Sequence, residues 1–169
     1  MKQVVLDALN KQITREMYSA NLYLSMSAYF SSKNLNGFAK WMELQAGEEM
    51  MHAMKFFKYI LQRGGKTVMN AIAAPPSDWQ SPLKAFEDAY HHETLVTGWI
   101  YEIVGIARAE NDFATENLLQ WFVTEQVEEE ATSLEIVEKL RMVGDDTQGL
   151  FMMDNSLGQR TASPAPAGA

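Results

Sequence analysis

Residues 37–63, GFAKWMELQAGEEMMHAMKFFKYILQR, decide the fold. Phe38, Met42, Gln45, Glu49, His52, Phe56 and Tyr59 recur at alternating 3- and 4-residue spacing, the stripe of an amphipathic helix laid on a core. Its middle is occupied by an acid and an imidazole. Burying a carboxylate is unfavourable unless a partner compensates it, so Glu49 and His52 need a reason to be there.

Three other stretches carry the same interruption. Residues 3–32 place Leu6, Leu9, Ile13, Glu16, Ala20, Tyr23 and Phe30 on one stripe. Residues 81–109 place Phe86, Ala89, Glu93, Val96, Ile100, Ile103 and Ala107. Residues 112–143 place Leu118, Phe122, Gln126, Glu129, Ser133, Ile136 and Leu140. Gly64-Gly65 and Gly144 stop the second and fourth segments, and Ser81-Pro82 reads as an N-cap followed by proline at the first helical position. A short apolar piece over residues 148–157 predicts a fifth helix, and the final TASPAPAGA has the composition of a disordered tail.

The loops set the topology. Lys33–Asn36 and Glu110–Asn111 are short enough to force antiparallel neighbours. Gly64–Gln80, with Pro75-Pro76 inside it, is long. At roughly 3.3 Å per residue it reaches about 55 Å, more than the roughly 42 Å of a 28-residue helix. One connection can therefore run the length of the bundle and leave the second and third helices parallel. The helical rise puts Glu16, Glu49, Glu93 and Glu129 roughly 18–25 Å from the near ends of their helices, close to mid-bundle. Four acids in one dry layer repel one another and raise one another's pKa; two divalent cations reverse that. Glu49 and His52, three apart, share a face and can hold one ion together. Oxygen donors with a single imidazole suit iron or manganese better than structural zinc. The competing reading is a set of acids neutralised by Lys or Arg, but no basic residue falls on the central turns of these stripes.

Composition narrows the classes. The chain has 169 residues, 47% apolar and 21% charged, as one globular domain would. With no cysteine it carries no disulfide, iron–sulfur cluster or thiolate zinc site. A net charge of −8 argues against nucleic acid or an anionic membrane as partner; it suits cation handling, and solubility alone also explains it. Asp7 and Lys11 break the apolar run a signal peptide requires, and no stretch has the length of a membrane span, so a cytoplasmic protein is expected.

The runs EMYSANLY (16–23), EEMMH (48–52) and WFVTEQVEEE (121–130), with His92-Glu93 and the PPSDW loop (75–79), resemble the non-haem ferritins of bacteria and archaea over about residues 1–158. The resemblance implies an all-α, ferritin-like four-helix bundle with one long crossover between the second and third helices, a short fifth C-terminal helix, and a disordered tail over 159–169. It implies a homo-oligomeric shell of 24 subunits that oxidises Fe(II) with O₂ or H₂O₂ and stores a ferric mineral. One iron would be held by Glu16, Glu49 and His52. Glu49 would bridge to a second iron held by Glu93 and Glu129, with Gln126 beside the pair. Glu48, Glu125, Glu128 and Glu129 resemble a third, inner iron site; spacing alone puts Glu125, Glu128 and Glu129 on one face, and a solvated acidic face is the plain alternative. Tyr23, two turns beyond Glu16, would lie beside the pair and supply an electron, while Trp121 reads as a core aromatic.

A second Glu-x-x-His motif on the fourth helix, as in bacterioferritins, is absent: Gln126 and Glu129 stand there. Met50 occupies a position where haem-binding relatives use methionine, but it reads as packing, and haem is not expected. His91 and His92 flank Glu93 off its stripe and receive no ligand role. A second apolar line, Leu22, Met26 and Tyr29, predicts an outward subunit contact. A rubrerythrin-type peroxidase or oxygenase, a starvation-type miniferritin and a non-catalytic helical interaction protein are the other readings; the first lacks its usual cysteine-rich domain here.

Overall fold

The computed structural model describes residues 1–162. Its helices are α1 (Gln3–Ser32), α2 (Asn36–Gln62), α3 (Pro82–Ala109), α4 (Phe113–Val143) and α5 (Thr147–Leu157), with no strand among the described residues. The starts of α3, α4 and α5 fall where the local chemistry puts them. Ser81 caps α3 by accepting from the Lys84 N–H, and Asp112 and Asp146 cap α4 and α5 in the same way. Asn34 and Asn111 adopt positive φ in the two short loops, a conformation asparagine tolerates better than most residues.

Cross-helix contacts fix the directions. Tyr23 meets Glu93, Ser19 meets His92 and Arg15 meets Trp99, so α1 and α3 run antiparallel. Gln45 meets Glu129, Tyr59 meets Thr115 and Arg63 meets Asp112, so α2 and α4 do as well. The crossover runs up the side of α1. Asn10 bonds the Lys66 carbonyl and the Val68 N–H, Asn70 reaches Thr14, Ser25 bonds the Pro76 carbonyl, and Trp79 packs on Tyr29. The expected single long crossover is present, and it returns the chain to the far end of the bundle.

That path corrects one expectation. Leu22, Met26 and Tyr29 do not form an outward face. All three are buried in the chain's own core, with the crossover's Trp79 laid on Tyr29. The periodicity reported burial correctly, but the cover comes from the same chain, and over Tyr29 it includes the non-helical crossover.

The apolar core is in two parts. One cluster gathers Phe30, Phe38, Trp41 and Phe86 with Ile136 and Leu140; the other gathers Leu9, Ile13, Phe56, Ile100 and Phe122. On every long helix the residues between the two clusters are the polar ones singled out from sequence. Leu119 rather than Leu118 fills the core on α4. A polar layer thus cuts the bundle at one level.

α5 docks on the start of α2. Asp154 Oδ1 accepts from the Gly37 N–H (2.7 Å) and the Phe38 N–H (3.1 Å), capping α2 from another helix. Gly37 permits this approach: a Cβ there would lie 1.7 Å from the Asp154 carbonyl oxygen. Arg160, inside the stretch expected to be disordered, is held against Trp41, Gln45 and Glu48. The rest of the expected tail, from residue 163, lies outside the described residues.

Candidate metal centre

Glu16 on α1 and Glu49 and His52 on α2 are almost completely buried. One donor atom from each lies within 4.8 Å of the others. Metal–ligand bonds of roughly 2.1 Å hold donor atoms about 3–4 Å apart, so the three side chains form a nearly closed cation site. His52 Nδ1 stands 3.8 Å from Glu49 Oε2. Glu16 Oε2, Glu49 Oε2 and His52 Nε2 are buried with no hydrogen-bond partner. Native proteins rarely leave such groups unsatisfied, and here all three belong to residues of one cluster.

Around this triad the acids are held by neutral donors. Gln12 Nε2, one turn before Glu16, donates to Glu16 Oε1 at 2.9 Å. The Tyr23 hydroxyl donates to Glu93 Oε1, and Gln126 Nε2 donates to Glu93 Oε2 at 3.2 Å. Gln45 Nε2 donates to Glu129 Oε2 at 2.5 Å. Glu93 and Glu129 therefore each have an oxygen engaged by a neighbour, and Gln126 takes part as a donor. Neutral partners leave the acids' mutual repulsion in place. Burial, then the Glu49 charge, pushes the Glu16 carboxyl up to about 8. Burial, then Glu93, pushes Glu129 up to about 8. Glu49 and Glu93 rise too, both chiefly through burial. This is a site built for positive charge that no Lys or Arg of the bundle supplies.

The outer acids sit differently. Glu48 is ion-paired with Arg160, Glu125 is partly buried and pushed up chiefly by burial, and Glu128 is exposed. Glu48 adds its field to Glu49, Glu125 and Glu129, which links the inner and outer groups electrostatically. Trp121 stands edge-on to His52 with ring centroids 5.3 Å apart, and Lys55 lies 3.8 Å over its face. Met50 is exposed.

His92 is buried, against the sequence expectation that it lies off the core-facing stripe. Its Nε2 is 2.8 Å from Ser19 Oγ, and burial lowers its pKa to about 4, so the ring is neutral at ordinary pH. It packs among Tyr18, Tyr23 and Trp99 and lies outside the triad. Gln12, Ser19 and Arg160 were not singled out from sequence. Only Gln12 left a signal, four residues before a buried acid. A groove of about 310 Å³ between α3 and α4, lined by Tyr90, Thr97, Val127 and Glu130, reaches Gln126 from the surface.

Fold and site together define a four-helix bundle with a buried cluster of carboxylates and one imidazole at its middle, able to hold a metal ion. The family described as "Ferritin-like domain" matches residues 6–143. A bacterial non-heme ferritin of Bacteroides fragilis is 47% identical over 154 residues, covering 91% of this chain and 96% of the relative. A probable bacterial non-heme ferritin-like protein of Haemophilus influenzae is 41% identical over 158 residues, covering 94% and 96%. Among solved structures, an Archaeoglobus fulgidus ferritin engineered to a closed form superposes with a TM-score of 0.95 at 52% identity, over 96% of this chain and 99% of that one. The open-pore ferritin of the same archaeon gives 0.95 at 52% identity, over 95% and 99%. The chain belongs to the ferritin family.

Proposed function

We propose that this protein is an iron-storing ferroxidase. It binds Fe(II) as substrate at the buried centre, oxidises it to Fe(III), and stores the ferric product inside a shell of 24 like subunits in the cytoplasm. The observation that carries the reading is the cluster of unpartnered buried donors, Glu16 Oε2, Glu49 Oε2 and His52 Nε2.

Glu16, Glu49 and His52 bind one Fe(II). Glu49 bridges to a second, bound by Glu93 and Glu129 with Gln126 beside the pair. Carboxylate oxygens are hard donors and favour Fe(III) over Fe(II), which lowers the free energy of the oxidised pair. Each Fe(II) gives up one electron; two electrons and two protons convert O₂ to H₂O₂, or H₂O₂ to two waters. The protonated carboxyls release their protons as the cations arrive. Tyr23, whose hydroxyl donates to Glu93, holds that carboxylate toward the second iron. Glu48, Glu125 and Glu128 pass iron between the centre and the interior. Membership of the ferritin family supports storage over a plain interaction role. No helix among the described residues is long and apolar enough to cross a membrane.

Adding Fe(II) in air to the purified protein and measuring particle size and iron content tests this. A particle near half a megadalton retaining hundreds of irons is expected. A small oligomer retaining about two irons per chain would refute storage. Unchanged initial oxidation rates in a variant carrying Glu49→Ala and His52→Ala would refute the site.

A further inference from the structure

Glu129 is held by an amide whose orientation is set from outside the bundle. Gln45 is almost fully buried and has one donor end and one acceptor end. Its Nε2 donates to Glu129 Oε2 at 2.5 Å, and its Oε1 accepts from Arg160 Nη1 at 2.8 Å. A guanidinium only donates, so the carbonyl end of Gln45 must face Arg160 and the N–H end must face the carboxylate. Without Arg160 the amide can turn over and set its carbonyl against Glu129.

Arg160 is itself well anchored. Its guanidinium lies 4.6 Å over the Trp41 ring, donates to the Trp41 carbonyl at 3.4 Å and pairs with Glu48. The segment bearing it is held by Asp154 on the start of α2 and by Lys40 Nζ on the Gly158 carbonyl at 2.8 Å. Neither the bundle helices nor their loops carry this group; it arrives with the chain that follows α5.

We propose that Arg160 is a positioning residue for the metal centre: it fixes the Gln45 amide, and the amide holds Glu129 in place for the second cation. The inference rests on the two-cation reading above. It adds that the docked C-terminal segment acts chiefly on the second position: neither Arg160 nor Gln45 bonds Glu16, Glu49 or His52 among the described residues, and only the field of Glu48, the ion partner of Arg160, reaches Glu49.

Anaerobic Co(II) titration of the assembled protein, followed by calorimetry and by the visible absorption of the bound ion, separates the two positions without any oxidation. Wild type is expected to bind in two steps. Arg160→Ala is expected to weaken the second step about 10-fold or more, as losing a group that orients a ligand does, and to alter chiefly the second ion's spectrum. Gln45→Ala should do the same, and adding Arg160→Ala to it should cost nothing further. Arg160→Lys, which can still donate to the Gln45 carbonyl, should recover most of the affinity. An unchanged second step, equal losses at both steps, or additive losses in the double variant would overturn the proposal. A wild-type protein that binds only one Co(II) would instead overturn the two-cation reading, and this inference with it.

Discussion

At the scale of single residues, Glu49 has the most demanding place. It belongs to the triad and also feels the flanking acids: the charges of Glu93, Glu129 and Glu48 all raise its pKa on top of burial. Replacing it with Gln keeps the shape and removes the charge. We expect Glu49→Gln to leave the metal-free fold intact, to raise its stability at pH 8, and to slow Fe(II) oxidation at least about 100-fold, since ligand loss exceeds the effect of losing an orienting partner; thermal melting and stopped-flow absorbance check the two halves. Tyr23→Phe is a milder probe. It deletes only the hydroxyl that donates to Glu93, and a hydrogen bond to a charged group contributes about 1.5–3 kcal/mol. The second cation should bind more weakly and oxidation should slow, while the first cation binds as in wild type. Equal affinity at both positions would show that Glu93 needs no support from Tyr23. The triad was legible in sequence because Glu49 and His52 are three apart on a stripe and Glu16 interrupts another. Tyr23 and Gln126, the partners of Glu93, were also singled out, but the bond from Gln45 to Glu129 was not, because it depends on how far each helix is rotated about its axis, which a stripe of about 100° leaves undetermined.

At the scale of elements, helix existence, order and crossover were all readable from 3.6-residue periodicity and loop length. The docking of α5 was not. Its contact with α2 joins residues 117 apart through one side chain, and nothing in the run Asp154-Asn155 says that its carboxylate will cap a distant helix. The Leu22, Met26 and Tyr29 line shows the complementary gap: a pattern says that a face is covered without saying by what. The α2 start has no local cap, since Leu35 stands at its N-cap position, so Asp154 does that work alone. Asp154→Ala should lower stability by about 1 kcal/mol, the usual effect of losing a cap. Gly37→Ala should do more, because its Cβ would meet the Asp154 backbone at 1.7 Å and push α5 off altogether. Hydrogen exchange of the α5 amides distinguishes the two, with local opening expected in the alanine at 37 and only modest loss of protection in the alanine at 154.

At the scale of the whole molecule, the polar layer makes stability depend on pH and on metal in opposite senses. Glu16 and Glu129 keep their protons up to about pH 8 when folded, whereas an unfolded glutamate loses its proton near its ordinary value of 4.5. Between those values the folded chain holds more protons than the unfolded chain, so stability falls as pH rises and levels off above about 8. His92 acts in the opposite direction lower down. Its folded pKa of about 4, against 6.5 for the free group, makes stability rise with pH between those values. The two effects partly cancel below 6.5, which leaves pH 6.5 to 8 as the range where the acids act unopposed. Across it each raised carboxyl removes up to about 2 kcal/mol. Bound cations require the deprotonated carboxylates, so metal removes the decline and its binding releases protons. Denaturation of the metal-free protein across this range should show a fall in stability that Glu16→Gln reduces and that Co(II) abolishes. Calorimetry of Co(II) binding in buffers of different ionisation enthalpy should show proton release at pH 7 that shrinks toward pH 9. A metal-free protein equally stable at pH 6.5 and 8 would mean that these carboxyls ionise normally, and that the layer is held by something other than the cations it lacks.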